Sequence, residues 1–341
     1  MLRVCLGFGL AASAGSLAAF VVHLAHEARV PLDLSAAAAA ASTGLKHEWR
    51  LQQGRHWQIV SSPSESREAT DAAEGTRGVC SAGMVEVKGR MKLDPSPNAY
   101  FDQHSIEEMQ KTTCTKWINR DFPERCAVFD RAKWLELSKE LPTRPMHFCI
   151  DRFEYPDEKG EYPWISVSFT EASALCAQDG KRLCDEAEWT FACEGEEAMP
   201  YPYGYVRDPS ACIVDQPWRP FHESAMRPRD GATARAEYDR LWQGVASGSE
   251  PRCRSGFGVY DLTGNVDEWT RTVREGERPS ILKGGYWGPV RTRCRPATRS
   301  HDETHVFYQQ GFRCCSDVNA RPTKRAPSDD ASRAPLPEEL R

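Results

Sequence analysis

The sequence predicts an α+β domain with little regular secondary structure. Three observations predict it. Short strand-like runs are mixed with a few helical patterns rather than alternating with them regularly. The stretch 201–254 carries proline and glycine but no sustained period. Twelve cysteines are spread from Cys80 to Cys315, which suits a loop-rich fold held by covalent staples.

The chain has 341 residues, enough for one large domain or two small ones. Its formal net charge is −5, so no basic footprint for nucleic acid is present. Of 13 cysteines, Cys5 lies in the apolar run 4–25 and the other twelve lie beyond it. An even dozen without a CxxC pair reads as disulfides in an oxidising compartment, with zinc thiolates as the competing reading. Cys212 and Cys253 bracket the irregular stretch and are placed to staple it. The adjacent Cys314 and Cys315 are expected to take separate partners. Run 4–25 is near the ~20 residues that span a bilayer, and Ala-x-Ala sites follow within 35–42. Residues 1–33 therefore read as a signal peptide or signal anchor that exports the chain and could tether it to a membrane. Residues 34–78 read as disordered linker, 79–320 as the folded domain and 321–341 as a disordered tail.

Within the domain, Met84–Val87 reads as a short strand. Segments 104–120 and 127–140 read as helices, the second with an apolar face of Val128, Trp134, Leu135 and Leu137. Segment 148–156 alternates as a strand through Phe148, Ile150 and Phe153. Ser168 and Glu171 form a capping-box pattern opening a helix that Gly180 closes. Asp185 and Glu188 open a second, closed by Gly195. Segment 282–287 reads as a strand kinked at Gly284-Gly285, and 310–317 as a terminal strand.

The richest stretch is Gly256–Trp269, GFGVYDLTGNVDEW. Glycines at 256, 258 and 264 allow turns that expose carbonyls. Asp261, Asn265, Asp267 and Glu268 surround them. Carboxylates beside exposed carbonyls suit a hard cation such as calcium, which takes six to eight oxygens. The plainer alternative is that these carboxylates cap turns and pair with arginines.

GMVEV, FCIDRFEYP, the Ser-capped helix followed by GKRLCDEAEW, PYPYG, GVYDLTGNVDEW, LKGGYW and QGFRCC occur here in that order. The series resembles the formylglycine-generating enzyme family, the sulfatase-modifying-factor domains, over about 80–318. The resemblance implies a variant of the C-type-lectin-like fold with disulfides and structural calcium. It also implies oxidation of a sulfatase cysteine to formylglycine by O₂ and copper on two thiolates. By family position, Asp261 and Glu268 would give calcium their side chains, and Gly264 and Val266 their carbonyls. A second family calcium site is not carried over, because ACIVDQ (211–216) has no asparagine and only Asp215 to substitute.

The copper pair departs from the family. Counting from Gly284-Gly285-Tyr286, the first thiolate position is Pro289 and the second Cys294, and the motif serine is Tyr286; aligned from ATRS instead, Cys294 shifts by three places, so at most one thiolate is present. One thiolate cannot make a bis-cysteine site for soft Cu(I), so copper is not expected. Iron, used by other superfamily members, is left open. The remaining chemistry lies in Arg291–Gln310. Cys294, His301 and Glu303 are the catalytic candidates, with His301-x-Glu303 an acid/base pair or, with His305, half of a metal site. The bland reading is an exposed loop of mixed charge. Trp164, Trp189, Trp218, Trp269 and Trp287 read as core or pocket wall, and Arg313 as a buried arginine held by Asp151 or Glu154.

Three functions follow. The first is an exported family domain that acts on or binds a peptide or protein without the copper site. The second is a non-catalytic, calcium-stabilised C-type-lectin-like binding module. The third is a true formylglycine-generating oxidase with an altered site.

Overall fold

The structure, a computed structural model, describes residues 45–61, 79–95, 105–121, 123–274 and 276–320. The expectations for 1–33, for Cys5 and for the tail 321–341 lie outside the described residues. Among the described residues no helix is long and apolar enough to cross a membrane.

Helix and strand are mixed, as an α+β fold requires. Among the described residues, twelve short strands form two four-stranded sheets and two hairpins. The first sheet has order β3-β6-β12-β7, from β3 (Met84–Lys92), β6 (Thr143–Asp151), β12 (Cys314–Ser316) and β7 (Arg182–Leu183). Strands β3 and β6 pair without a break from Met84↔Asp151 to Lys92↔Thr143. The second has order β10-β9-β8-β11, from β10 (Ala297–Thr298), β9 (Ser280–Lys283), β8 (Asp267–Arg271) and β11 (Gln310–Phe312). Strand β11 runs parallel to β8, setting Gln310 beside Asp267.

Both capping boxes form where the sequence places them. Helix α3 (Phe169–Gln178) starts at Ser168, whose hydroxyl accepts from Glu171 N while the Glu171 carboxylate accepts from Ser168 N. Helix α4 (Glu186–Glu194) starts at Asp185 and ends at Gly195 with φ 66°. Val85, Phe148 and Ile150 of the first sheet pack on Trp189 and Phe191 of α4. Trp269, Leu282 and Phe312 of the second pack on Phe169, Ala172 and Leu175 of α3.

The structure corrects four local readings. Only Ile106–Lys111 of 104–120 is helical (α1); Cys114–Asn119 is strand β4, where threonines and Ile118 favour the extended chain. Strand β4 pairs with β5 (Arg125–Phe129), so the second helix, α2, is shortened to Arg131–Ser138 behind its Asp130 cap. The irregular stretch hides helix α5 (Ala232–Leu241), which buries Ala234, Tyr238 and Leu241 at i, i+4, i+7. Finally, part of the supposed linker is folded. Residues Glu48–Gln52 (β1) and His56–Ser61 (β2) make a hairpin that buries Trp49, Trp57 and Ile59. Of the five tryptophans read as core or wall, Trp218 is instead 59% exposed.

Six disulfides join Cys80–Cys149, Cys114–Cys126, Cys176–Cys314, Cys184–Cys315, Cys193–Cys294 and Cys212–Cys253. Thus Cys212–Cys253 closes the irregular stretch, and the adjacent cysteines do take separate partners. So dense a set indicates folding in an oxidising compartment.

Candidate functional site

The Gly256–Trp269 loop feeds β8, and its alternation sends consecutive carboxylates to opposite faces. Glu268 points into the interior. Arg313 grips it with Nε and Nη2, each bond 2.7 Å, and Trp189 Nε1 adds a third at 2.9 Å. Arg313 is therefore buried and held, but by Glu268 rather than by Asp151 or Glu154. Asp151 instead accepts from Lys181 Nζ at 2.5 Å and from Cys314 N at 2.9 Å. Glu154 accepts from Ser247 Oγ, Asn265 Nδ2 and Val266 N.

Asp261, with φ 58°, lies on the same buried side, its Oδ2 accepting from Gly248 N at 2.7 Å. Gly264 has φ +84°, and any Cβ there would strike the Ile213 carbonyl, so only glycine fits the turn. Glu154, Asp261 and Glu268 are all buried around one guanidinium. Burial, reinforced by the neighbouring carboxylates, pushes Glu154 well above the usual carboxylate range. Asp261 rises to about 7, chiefly through burial, against the Gly248 N–H and Arg313. Three buried carboxyls thus share one guanidinium, and a cation is suited to replace the protons that burial favours on two of them. The arrangement differs from the expectation in one respect, since Glu268 is already committed to Arg313 and Trp189. Among the described residues no three His, Cys, Asp or Glu side chains are grouped as a metal cage.

Asp267 faces the other way, under segment 285–310. Positive φ at Gly284 (+85°) and Gly285 (+71°) turns the chain after β9, and Gly285 N donates to Asp267 Oδ1 at 3.3 Å. Arg291 Nη2 donates to both Asp267 oxygens, at 3.1 and 3.3 Å, and to Leu282 O at 3.0 Å. Burial raises the Asp267 carboxyl while Arg291 opposes the shift. His301 is held below the ordinary histidine value by burial, with Asp267 opposing. His305 stacks on it, ring centroids 3.8 Å apart and planes 18° apart, and is lowered by burial and by His301 itself. Tyr286, Trp287, Phe307 and Tyr308 form an aromatic wall beside these groups.

The three catalytic candidates are not brought together as one centre. Cys294 is bonded to Cys193 of α4, so it is no free thiolate: packing against α4 put a second sulfur within bonding reach. Glu303 accepts from Ser280 Oγ at 3.2 Å, and its carbonyl accepts from Thr170 N and Oγ1 at the start of α3. Its carboxylate is thus directed to β9 rather than to the His301 imidazole. His301 and His305 do meet, and the Asp267–Arg291 pair, which sequence reasoning missed, acts on His301 through its charges. The available signal was Asp267 itself, one of the carboxylates in the Gly256–Trp269 stretch. Chemically, the site offers two neutral imidazoles, a paired guanidinium and an aromatic wall. A separate cleft of about 470 Å³ lies beyond the far end of β8, with Met91, Met146 and Phe148 on its floor.

The family model for the sulfatase-modifying factor enzyme 1-like domain matches residues 94–318, more than half of the chain. This chain belongs to that family. A relative from Bos taurus, "Inactive C-alpha-formylglycine-generating enzyme 2", is 30% identical over 174 residues, 48% of this chain and 54% of its own. The "Formylglycine-generating enzyme" of Mycobacterium tuberculosis is 28% identical over 195 residues, 47% of this chain and 59% of its own. The chain spans about half the length of these relatives. PvdO from Pseudomonas aeruginosa overlaps 73% of this chain and all of its own, at 15% identity and a TM-score of 0.41. A likeness that slight carries no argument. In this sulfatase-modifying-factor domain the cysteines are fully used. All twelve among the described residues are in disulfides.

Proposed function

We propose that this is an exported sulfatase-modifying-factor domain that binds a peptide or protein segment over the Tyr286–Tyr308 face and does not oxidise it through copper. One observation carries the reading. Cys294, the one cysteine that the count from Gly284-Gly285 puts at a family thiolate position, is bonded to Cys193, and the same count puts Pro289 at the other. Soft Cu(I) needs thiolates, and this face supplies none. Tyr286 and Phe307, the partly exposed members of the aromatic wall, lie beside paired charges and support binding rather than oxidation.

The test incubates the folded protein with copper, O₂ and a cysteine-containing sulfatase peptide. The expected outcome is an unchanged peptide mass together with saturable binding of the peptide in fluorescence anisotropy. A loss of about 18 Da, the conversion of cysteine to formylglycine, would establish the altered oxidase instead. No mass change and no binding would also defeat the reading.

Calcium at Asp261 belongs to the same proposal as a structural ion. What supports it is the unbalanced buried charge of Glu154, Asp261 and Glu268 around Arg313. Asp261 would be its side-chain ligand, with the remaining capacity of Glu268 and the carbonyls of Gly264 and Val266 beside it.

A further inference from the structure

The folded hairpin lies outside the family match, and the segment that leads into its first strand is bonded to one residue of the domain. Asp239, on α5, is 3% exposed. It accepts from Lys46 N at 2.7 Å, His47 N at 3.0 Å, His47 Nδ1 at 2.8 Å and Trp49 Nε1 at 2.9 Å. One carboxylate thus takes four bonds from three residues, Lys46, His47 and Trp49, at the opening of the hairpin. A buried carboxylate with that many donors fixes their geometry, because losing any of them leaves charge unsatisfied in the interior.

The hairpin then reaches the site through rings in contact. Trp49 meets Trp242 edge-on at 6.0 Å, Trp242 meets Trp287 at 4.7 Å, and Trp287 meets Tyr308 at 5.9 Å. Trp287 and Tyr308 are the buried members of the aromatic wall. The far strand is pinned as well, by Trp57 Nε1 to Arg229 O at 2.7 Å and by Gln58 Nε2 to Tyr162 O at 2.9 Å.

We infer that Asp239 is a positioning residue that latches the β1–β2 hairpin against Trp242 and thereby sets the aromatic wall at Tyr286–Tyr308. The assignment of that wall as a binding face rests on the function proposed above. The latch itself does not depend on any ligand. Asp239 touches neither the wall nor the His301–His305 stack; it acts through Trp49 and Trp242. Residues 45–61 are by this account a working part of the domain.

Peptide-resolved hydrogen exchange on the full oxidised chain tests the latch without a ligand. In Asp239→Asn, exchange is expected to quicken about tenfold or more over 46–61 and over 286–308, since a set of charge-assisted bonds is lost. Exchange over the β3–β6 pairing, 84–92 and 143–151, is expected to stay at the wild-type rate. Trp49→Phe removes one donor and keeps a ring, and serves if the first variant does not fold. It is expected to loosen the same two segments by a smaller factor. Loosening of the hairpin with 286–308 unchanged would overturn the inference, as would equal quickening over β3–β6. Either result leaves the copper and peptide-mass test standing, so the two readings fail separately.

Discussion

Arg313 and Glu268 face each other in the interior through two bonds of 2.7 Å, with both side chains at or below 1% exposure. The parallel pairing of β11 with β8 causes this. It places Gly311 beside Glu268, so that two residues on, Arg313 lies alongside the carboxylate. The guanidinium also donates to Tyr260 O at 2.8 Å. It therefore ties the terminal strand to the Gly256–Trp269 loop.

Breaking such a pair from one side leaves an unpaired buried charge, which costs about 3–5 kcal/mol. Arg313→Met is expected to lower stability by that amount, because three carboxylates then share the pocket with no cation. Glu268→Gln is expected to cost less, because Arg313 keeps Glu154 and Asp261 as neighbours. Urea unfolding of the oxidised protein reads both, and equal costs would show that the carboxylates do not share Arg313.

The Cys193–Cys294 bond makes a second prediction. Thiol titration of the native protein with disulfides intact is expected to find none of the twelve cysteines between Cys80 and Cys315 reactive. Replacing Cys193 and Cys294 together by serine should destabilise the domain by about 2–5 kcal/mol. It should leave peptide binding to the Tyr286–Tyr308 face in place. Loss of binding with the fold intact would mean that these sulfurs take part in the site.

Several of these relationships were legible in the residues, and the reasons differ. The capping boxes at Ser168 and Asp185 are local, so four residues suffice to see them. The separate pairing of Cys314 and Cys315 follows from adjacency alone. Helix α5 carried its 3.6-residue period at Ala234, Tyr238 and Leu241, but Glu237 and Asp239 on its buried side masked it. The hairpin carried a period of two at Trp49, Leu51, Trp57 and Ile59 around the Gln53-Gly54 turn. It was hidden by the polar text on either side. The partners of Arg313 and Asp239 were not legible at all, because Glu268 is 45 residues from one and Trp49 is 190 from the other. Only strand register and the docked hairpin bring them together. The Asp267–Arg291 pair likewise depends on a turn at Gly284-Gly285 whose direction no local pattern states.

The carboxylate cluster predicts a pH-dependent stability, and the proposed calcium ion would make it depend on calcium as well. The Asp261 carboxyl is raised from 3.8 to about 7, so without an ion the folded state holds a proton that the unfolded chain has released. The sign follows from linkage. Its contribution is fully present below pH ~4 and is lost as pH rises through about 7. The proposed calcium ion would compete with that proton. The melting temperature in chelator is therefore expected to fall between pH 5 and 8, and added calcium should restore it at pH 8 far more than at pH 5. Asp261→Asn should flatten both dependences. Calorimetry with and without calcium reads them, and indifference to calcium at pH 8 would remove the ion from the account.

Lys283 gives the opposite slope from the other side of β9. It is fully buried, donating to Arg295 O at 2.6 Å with its Nζ 5.4 Å from the centre of the Trp189 ring. Burial, helped by Arg299 and Arg295 and opposed by Glu186, lowers its pKa from 10.5 to about 7. In the folded state the amine loses its proton near neutrality, while the unfolded chain keeps it up to pH 10.5. The unfolded state binds more protons throughout that window, so stability rises with pH from about 7 to 10.5. Lys283→Met keeps the stem and removes the buried cation. It is expected to stabilise the domain at pH 7 by about 1–3 kcal/mol and to abolish the rise above pH 7. Urea midpoints at pH 7 and pH 9 for both proteins decide it. A destabilised variant would mean that the bond to Arg295 O outweighs the cost of burying the amine.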